Sequence, residues 1–159
     1  MKVLLIGSVL FLLTLTVLGW AKRQLPDPKP PAQRFHIKEA ILQETASNAC
    51  DVRQFFEADL LFIVGYTSLG IGLCLWVARG AASSAILALS LLAFAAVVDA
   101  IGDVVCIRYA SAVIKNLAAE SPQTFLHSLT NGKWTLVAAS IISFLFASFR
   151  YWVARPGAA

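Results

Sequence analysis

AASSAILALSLLAFAAVVDAIGDVVCI, residues 81–107, contains the feature that most constrains this chain. The stretch is long enough to cross a hydrocarbon core of about 30 Å as a helix. It nevertheless carries two aspartates four residues apart, Asp99 and Asp103. Ionisable groups are expensive to place in lipid, so they rarely face it and usually have a partner or a task. The stretch therefore predicts a membrane helix whose acidic face is covered by other helices.

The composition places the whole chain in the same class. Of its 159 residues, 58% are hydrophobic and 14% are charged, and the mean hydropathy is +0.74. These values exclude an ordinary soluble domain. Long apolar blocks occupy residues 3–21, 60–78, 81–107 and 134–154. They lack the alternation of barrel strands, so we predict an all-α, polytopic membrane protein, a single domain (1–159) built as an up-down bundle of four transmembrane helices.

The first block admits two interpretations. Lys2 precedes it and Gly19-Trp20-Ala21 resembles a cleavage site, which is typical of a signal peptide. Lys22 and Arg23 follow directly, however, and the block is longer than a typical signal core. We therefore favour its retention as a membrane helix.

Residues 22–58 are predicted to lie outside the membrane. They begin with a Pro-rich linker at residues 25–31, where prolines stop the first helix from continuing. A short amphipathic helix should follow, interrupted around residues 47–51, with a second helix start at Asn48 or Asp51.

The charge distribution gives conflicting signals about orientation. Segments 21–59 and 108–133 hold nine of the 13 Lys and Arg residues, which by the positive-inside rule would place them in the cytosol. Trp76 and Trp152, however, are each followed by Val-Ala-Arg at the end of their blocks, a pattern typical of a cytosolic interface. We favour both termini inside, in a bacterial inner membrane.

The short connection between the second and third blocks predicts which residues share a depth. Only residues 79–84 are available for it, so these helices should form a tight antiparallel hairpin that brings Tyr66 level with Asp99. The fourth block should enter from the same side after Asn131-Gly132, a turn signal. The candidate polar cluster in this half of the bundle comprises Asp59, Tyr66, Asp99, Asp103, Arg108 and Lys133.

The negative charges of Asp99 and Asp103 in the third block must be neutralised. Ionised carboxylates at positions i and i+4 of a helix repel each other. Either one of them holds a proton, or Lys133 and Arg108 neutralise them. Such a cluster can fix helix register alone, relay protons or bind ions, form the polar end of a ligand pocket, or supply an acid-base pair.

The cysteines and histidines give weaker signals. Cys50 and Cys106 are predicted on the same side and could form a disulfide in an oxidising compartment. Cys74 is more simply a small packing residue. His36 and His127 lack the spacing of metal ligands, and no phosphate loop or nucleophile motif is present. We predict no metal and no cofactor.

Three features of the chain resemble a loose group of small four-helix bacterial integral membrane proteins. Asp59 opens an aromatic run that leads to Tyr66, and Lys133-Trp134 opens the fourth block, as in that group. The group's third helix carries Asp-x-x-Glu-Asn, whereas here Gly102 and Asp103 follow in place of Glu and Asn. The resemblance implies the four-helix fold and no particular activity.

The absence of catalytic motifs favours a non-catalytic role. We predict an accessory or assembly subunit of a larger membrane complex, with the bilayer and other membrane subunits or a second copy as partners, and not nucleic acid. Two alternatives stay open. One is a proton-handling, ion-handling or transport element; the other is a membrane enzyme or binder of a lipid-like or quinone-like ligand.

Overall fold

The described part of the chain is predominantly helical and contains no strand. The computed structural model describes residues 2–25, 45–118 and 120–153. Its helices are α1 (Lys2–Lys22), α2 (Thr45–Ile114) and α3 (Gln123–Val153). Two candidate membrane spans lie within α2, and Cys74 of the one packs against Ala85 and Ala88 of the other.

Within the part of the chain that the structure describes, four helical segments are long and apolar enough to cross a membrane. They are the first span (Lys2–Lys22), the second span (Asn48–Ala78), the third span (Ala82–Ile114) and the fourth span (Thr124–Val153). For the described residues, the all-helical class and the presence of four candidate spans are thereby confirmed. The last three spans have 30 residues or more, so each is about 45 Å long and exceeds a hydrocarbon core of about 30 Å.

Two predicted breaks are wrong. Residues 47–51 are helical within α2, which is described from Thr45 onward, and Asn131-Gly132 lies inside α3. Cap and turn residues are only a weak local preference, and the packing of a whole helix overrides it. Residues 26–44, with most of the Pro-rich linker and the predicted amphipathic helix, lie outside the described residues.

The longer helices build a hydrophobic core at one end of the bundle. All four spans contribute to it, with Phe56, Cys106 and Leu126 among its fully buried side chains. We call this group the end cluster: Ala21, Val52, Phe55, Phe56, Ala58, Cys106, Ala110 and Leu126. Ala58 of the end cluster directly precedes Asp59 in the sequence. Packing in the end cluster therefore stabilises the positions of the helices that carry the candidate site.

The first span packs against the second through backbone contacts at glycines. A Cβ atom added at Gly7 would lie 2.6 Å from the carbonyl oxygen of Ser68, and one at Gly72 would lie 2.8 Å from the Cα of Leu4. Gly65 likewise faces the side chain of Thr14. Small residues allow two membrane helices to approach this closely, so the contact depends on the absence of side chains at these positions.

This contact gives a prediction for the first span. Gly7→Val should lower the free energy of unfolding by about 1–3 kcal/mol, because the new side chain must push the Ser68 backbone away. Gly19→Val is the matched control, since nothing lies within 4 Å of a Cβ there. Unfolding by sodium dodecyl sulfate in dodecylmaltoside micelles measures both. Equal losses in the two variants would contradict the packing of Gly7 on the second span.

Candidate functional site

Three carboxylates meet beside the end cluster. Asp59 of the second span and Asp99 and Asp103 of the third each contribute an oxygen atom, and these atoms lie within 4.8 Å of one another. Asp59 is 9% exposed, Asp99 4% and Asp103 not at all. We call these three residues the carboxylate cluster. The two acids of the third span therefore face protein, as the cost of exposing them to lipid requires.

Lys133 of the fourth span neutralises part of this charge. Its Nζ lies 2.5 Å from Oδ2 of Asp99. The hydroxyl of Tyr66 donates a long hydrogen bond of 3.5 Å to the same oxygen. The ammonium also lies 5.5 Å from the ring centroid of Trp134, within the range of a cation–π contact. Asp99 is thus the point where the second, third and fourth spans meet.

Arg108 does not take the place predicted for it. Its side chain is exposed and does not line the cavity described below. The reason is helix geometry: five residues beyond Asp103, Arg108 lies about 140° around the helix axis. The structure therefore assigns compensation of Asp99 to Lys133.

A cavity of about 500 Å³ opens from this polar end between the second, third and fourth spans. One wall follows a helical stripe of the second span: Asp59, Phe62, Tyr66, Leu69 and Leu73. The facing wall follows a stripe of the fourth span: Lys133, Val137, Ile141 and Phe144. Both stripes repeat every three to four residues, the spacing of one helix face.

The cavity is polar at one end and apolar along its length. The charged side chains that line it are Asp59, Asp99 and Lys133, whereas Ser140 is the main polar side chain farther along. The Ser140 hydroxyl donates to the carbonyl oxygen of Ala88 at 2.8 Å, so it joins the third and fourth spans rather than facing the cavity with an unused donor. The geometry suits a molecule with a polar head and an apolar tail.

The structure does not join Cys50 to Cys106. Cys50 is an exposed thiol, whereas Cys106 is a buried thiol of the end cluster, so the two side chains point into different environments. Cys74 is buried beside Ala85 and Ala88 and also lines the cavity, in line with its expected packing role.

The carboxylate cluster could in principle supply three oxygen ligands to a metal ion. Waters commonly complete the coordination shells of Ca²⁺ and Mg²⁺, so three carboxylates can be sufficient protein ligands. In this structure the ammonium of Lys133 lies against Asp99 and supplies a positive charge at this point. His127 is exposed on the surface.

The sequence indicated a ligand pocket only as one of several roles of the polar cluster, and it did not identify the apolar wall formed by Val137, Ile141 and Phe144. The helical spacing of these three residues is visible in the fourth apolar block. The other faces of the same helices are equally apolar, however, so periodicity could not separate the cavity wall from the lipid-facing surface.

Over the described residues, the fold and the site define a helical bundle with four candidate membrane spans and an amphipathic cavity beside buried carboxylates. No protein-family model matches the sequence, and neither the curated proteins nor the solved structures contain a match. The resemblance to small bacterial four-helix membrane proteins stays a prediction.

Proposed function

We propose that this protein is an integral membrane protein that binds one amphipathic molecule from the bilayer in the cavity between its second and fourth spans. The cavity and its lining carry this proposal. Its volume of about 500 Å³ falls within the range of about 300–1,000 Å³ typical of small-molecule sites. A few polar groups at one end would orient the ligand, and the apolar walls would hold its tail.

The dimensions of the cavity support a ligand that lies along the helices. From Lys133 to Phe144 the fourth span rises by about 16 Å. One leaflet of a hydrocarbon core of about 30 Å is about 15 Å deep. A single acyl chain therefore matches the cavity in length, with its head at the Lys133 end, where the apolar part of the fourth span begins.

The proposed arrangement in the membrane follows the helix contacts. Gly7 lies against Ser68, Cys74 packs with Ala85, and Lys133 contacts Asp99, so each of these pairs is compatible with an up-down bundle. We place both termini in the cytosol and the protein in a bacterial inner membrane, on the Trp and Arg pattern of the sequence.

We rank ligand binding ahead of the accessory-subunit role. That role rests on the absence of motifs from the sequence, whereas ligand binding rests on a cavity with a defined lining. The accessory role and the proton-handling or ion-handling role stay predictions. No catalytic step is proposed, because the cavity offers binding groups and the sequence offers no nucleophile motif.

Filling the cavity tests the proposal. Val137 lines it halfway along the fourth span, whereas the next residue, Ala138, is exposed on the outer surface. Val137→Trp should weaken binding of a neutral amphiphile by about tenfold or more, because the indole occupies the space of the tail. Ala138→Trp adds the same side chain outside the cavity and should bind like the wild type.

The measurement uses spin-labelled dodecanol in nanodiscs of phosphatidylcholine. The fraction of probe with restricted motion, read by electron paramagnetic resonance, reports occupancy. Circular dichroism confirms that both variants are folded. Absence of a restricted fraction in the wild type, or equal fractions in Val137→Trp and Ala138→Trp, would overturn the proposed function.

A further inference from the structure

We infer that the molecule bound in this cavity carries a cationic amine head group on a single hydrocarbon chain, an inference that rests on the binding function proposed above. Charge complementarity at the polar end is the main argument. Asp59 and Asp99 both line the cavity there, with Lys133 as the basic side chain among the described lining residues.

An ammonium head group can bind both of these carboxylates. A carboxylate has acceptor sites for about four hydrogen bonds, so Asp59 and Asp99 can accept from a ligand in addition to their existing contacts. Hydrogen bonds between an ammonium and a carboxylate are about twice as strong as those between neutral groups. The low exposure of both acids strengthens these bonds further, because little water competes for them.

An anionic head group meets the opposite situation. It would approach two carboxylates, and the ammonium of Lys133 is already engaged with Asp99. The ammonium could donate to an anion while it stays on Asp99, but the anion would then lie beside the carboxylates at the same end of the cavity and be repelled by them. Arg108 is exposed away from the cavity and cannot supply a second positive charge there.

A neutral head group lies between these cases. A hydroxyl or a quinone carbonyl can hydrogen-bond to Tyr66 or Lys133. It carries no positive charge, however, so it lacks the electrostatic attraction to the carboxylates of Asp59 and Asp99. The length of the cavity favours a single tail: its wall from Lys133 to Phe144 is about 16 Å long, which matches one hydrocarbon chain below a small head group.

The test compares three amphiphiles that share a twelve-carbon tail: dodecylammonium, dodecanol and dodecyl sulfate. Each is titrated at pH 7 against spin-labelled dodecanol bound to the protein in phosphatidylcholine nanodiscs, and its mole fraction in the bilayer is measured. Dodecylammonium should displace half of the probe at a mole fraction about tenfold lower than dodecyl sulfate requires, with dodecanol between them.

Asp59→Asn should reduce the preference for dodecylammonium over dodecyl sulfate by about threefold or more, because one of the two acceptor charges is lost. Glu57→Gln is the matched control, since Glu57 is an exposed acid that pairs with Arg53 outside the cavity. It should keep the wild-type preference. If Asp59→Asn does not fold, the order of the three head groups on the wild type still decides the question.

The outcomes separate this inference from the proposed function. Equal displacement of the spin-labelled probe by all three amphiphiles, or tighter binding of dodecyl sulfate, would overturn the inference of a cationic head group. The cavity would remain a binding site in either case. An Asp59→Asn variant with unchanged preference would overturn the role of that carboxylate and with it the inference. Absence of restricted probe in the wild type would overturn the proposed function and the inference together.

Discussion

Lys133→Met is expected to lower the free energy of unfolding by about 3–5 kcal/mol, because removing one partner of a buried ion pair leaves the other charge uncompensated. Lys133 Nζ lies 2.5 Å from Asp99 Oδ2, and Asp99 is almost fully buried. Oxygen atoms of Asp59 and Asp103 lie within 4.8 Å, so their repulsion adds to the loss. Methionine keeps an unbranched chain beside Trp134 and removes the charge.

A double-mutant cycle separates the ion pair from the loss of packing. Lys133→Met with Asp99→Asn should recover a substantial part of the stability, since the buried charge that lacked a partner is gone. Lys115→Met, at an exposed lysine just beyond the third span, should change the free energy of unfolding by no more than about 0.5 kcal/mol. Sodium dodecyl sulfate titration in micelles gives the free energies of unfolding of the wild type, Lys133→Met, Asp99→Asn, the double variant and the Lys115→Met control. A loss in Lys133→Met no larger than that in Lys115→Met would contradict a stabilising ion pair.

The sequence was sufficient to predict those parts of the fold that depend on the free energy of moving side chains between water and lipid. Long apolar blocks predicted the number of spans, and the cost of ionisable groups in lipid predicted that Asp99 and Asp103 face protein. The short connection after Ala78 predicted the level of Tyr66 opposite Asp99, which the 3.5 Å contact confirms. The first two inferences hold because each rests on a large free-energy difference. The third holds because a short connection leaves little freedom in the relative level of the two helices.

Helix ends were harder to predict, because they depend on contacts between distant residues. Asn131-Gly132 favours a turn by local preference, yet α3 continues through it. Leu126, five residues before Asn131, is buried in the end cluster with residues of the other spans. That packing stabilises the helix well beyond the apolar block, and a single sequence does not display it.

The direction of individual side chains in the candidate site was also only partly predictable. The sequence predicted only how deep Arg108 and Lys133 lie along the bundle, and it placed both in the same half. Whether each reaches Asp99 depends on rotation about the helix axis, and Arg108 is rotated away while Lys133 faces the acid. Apolar residues on all faces of a span remove the amphipathic pattern that fixes this rotation in soluble helices.

Phe56→Ala is expected to lower the free energy of unfolding by about 3–5 kcal/mol, because it leaves a large void in the end cluster. Phe56 has no exposed surface, and its ring packs at 5.4 Å from the ring of Phe55. The residue lies three positions before Asp59 on the same helix. A loss of packing here should therefore also disturb the position of Asp59 in the cavity, and spin-labelled dodecanol should bind more weakly.

Phe94→Ala makes the same substitution on the third span at a ring that is 64% exposed, outside the cavity lining. Detergent or lipid chains are about as apolar as the ring's surroundings, so little free energy separates its folded and unfolded environments. We expect a change in the free energy of unfolding below about 1 kcal/mol for this control. A comparable loss in both variants would mean that the bundle is held by contact with the surrounding chains rather than by the end cluster. A large loss of unfolding free energy in Phe56→Ala alone would show that packing in the end cluster holds the carboxylate cluster in place.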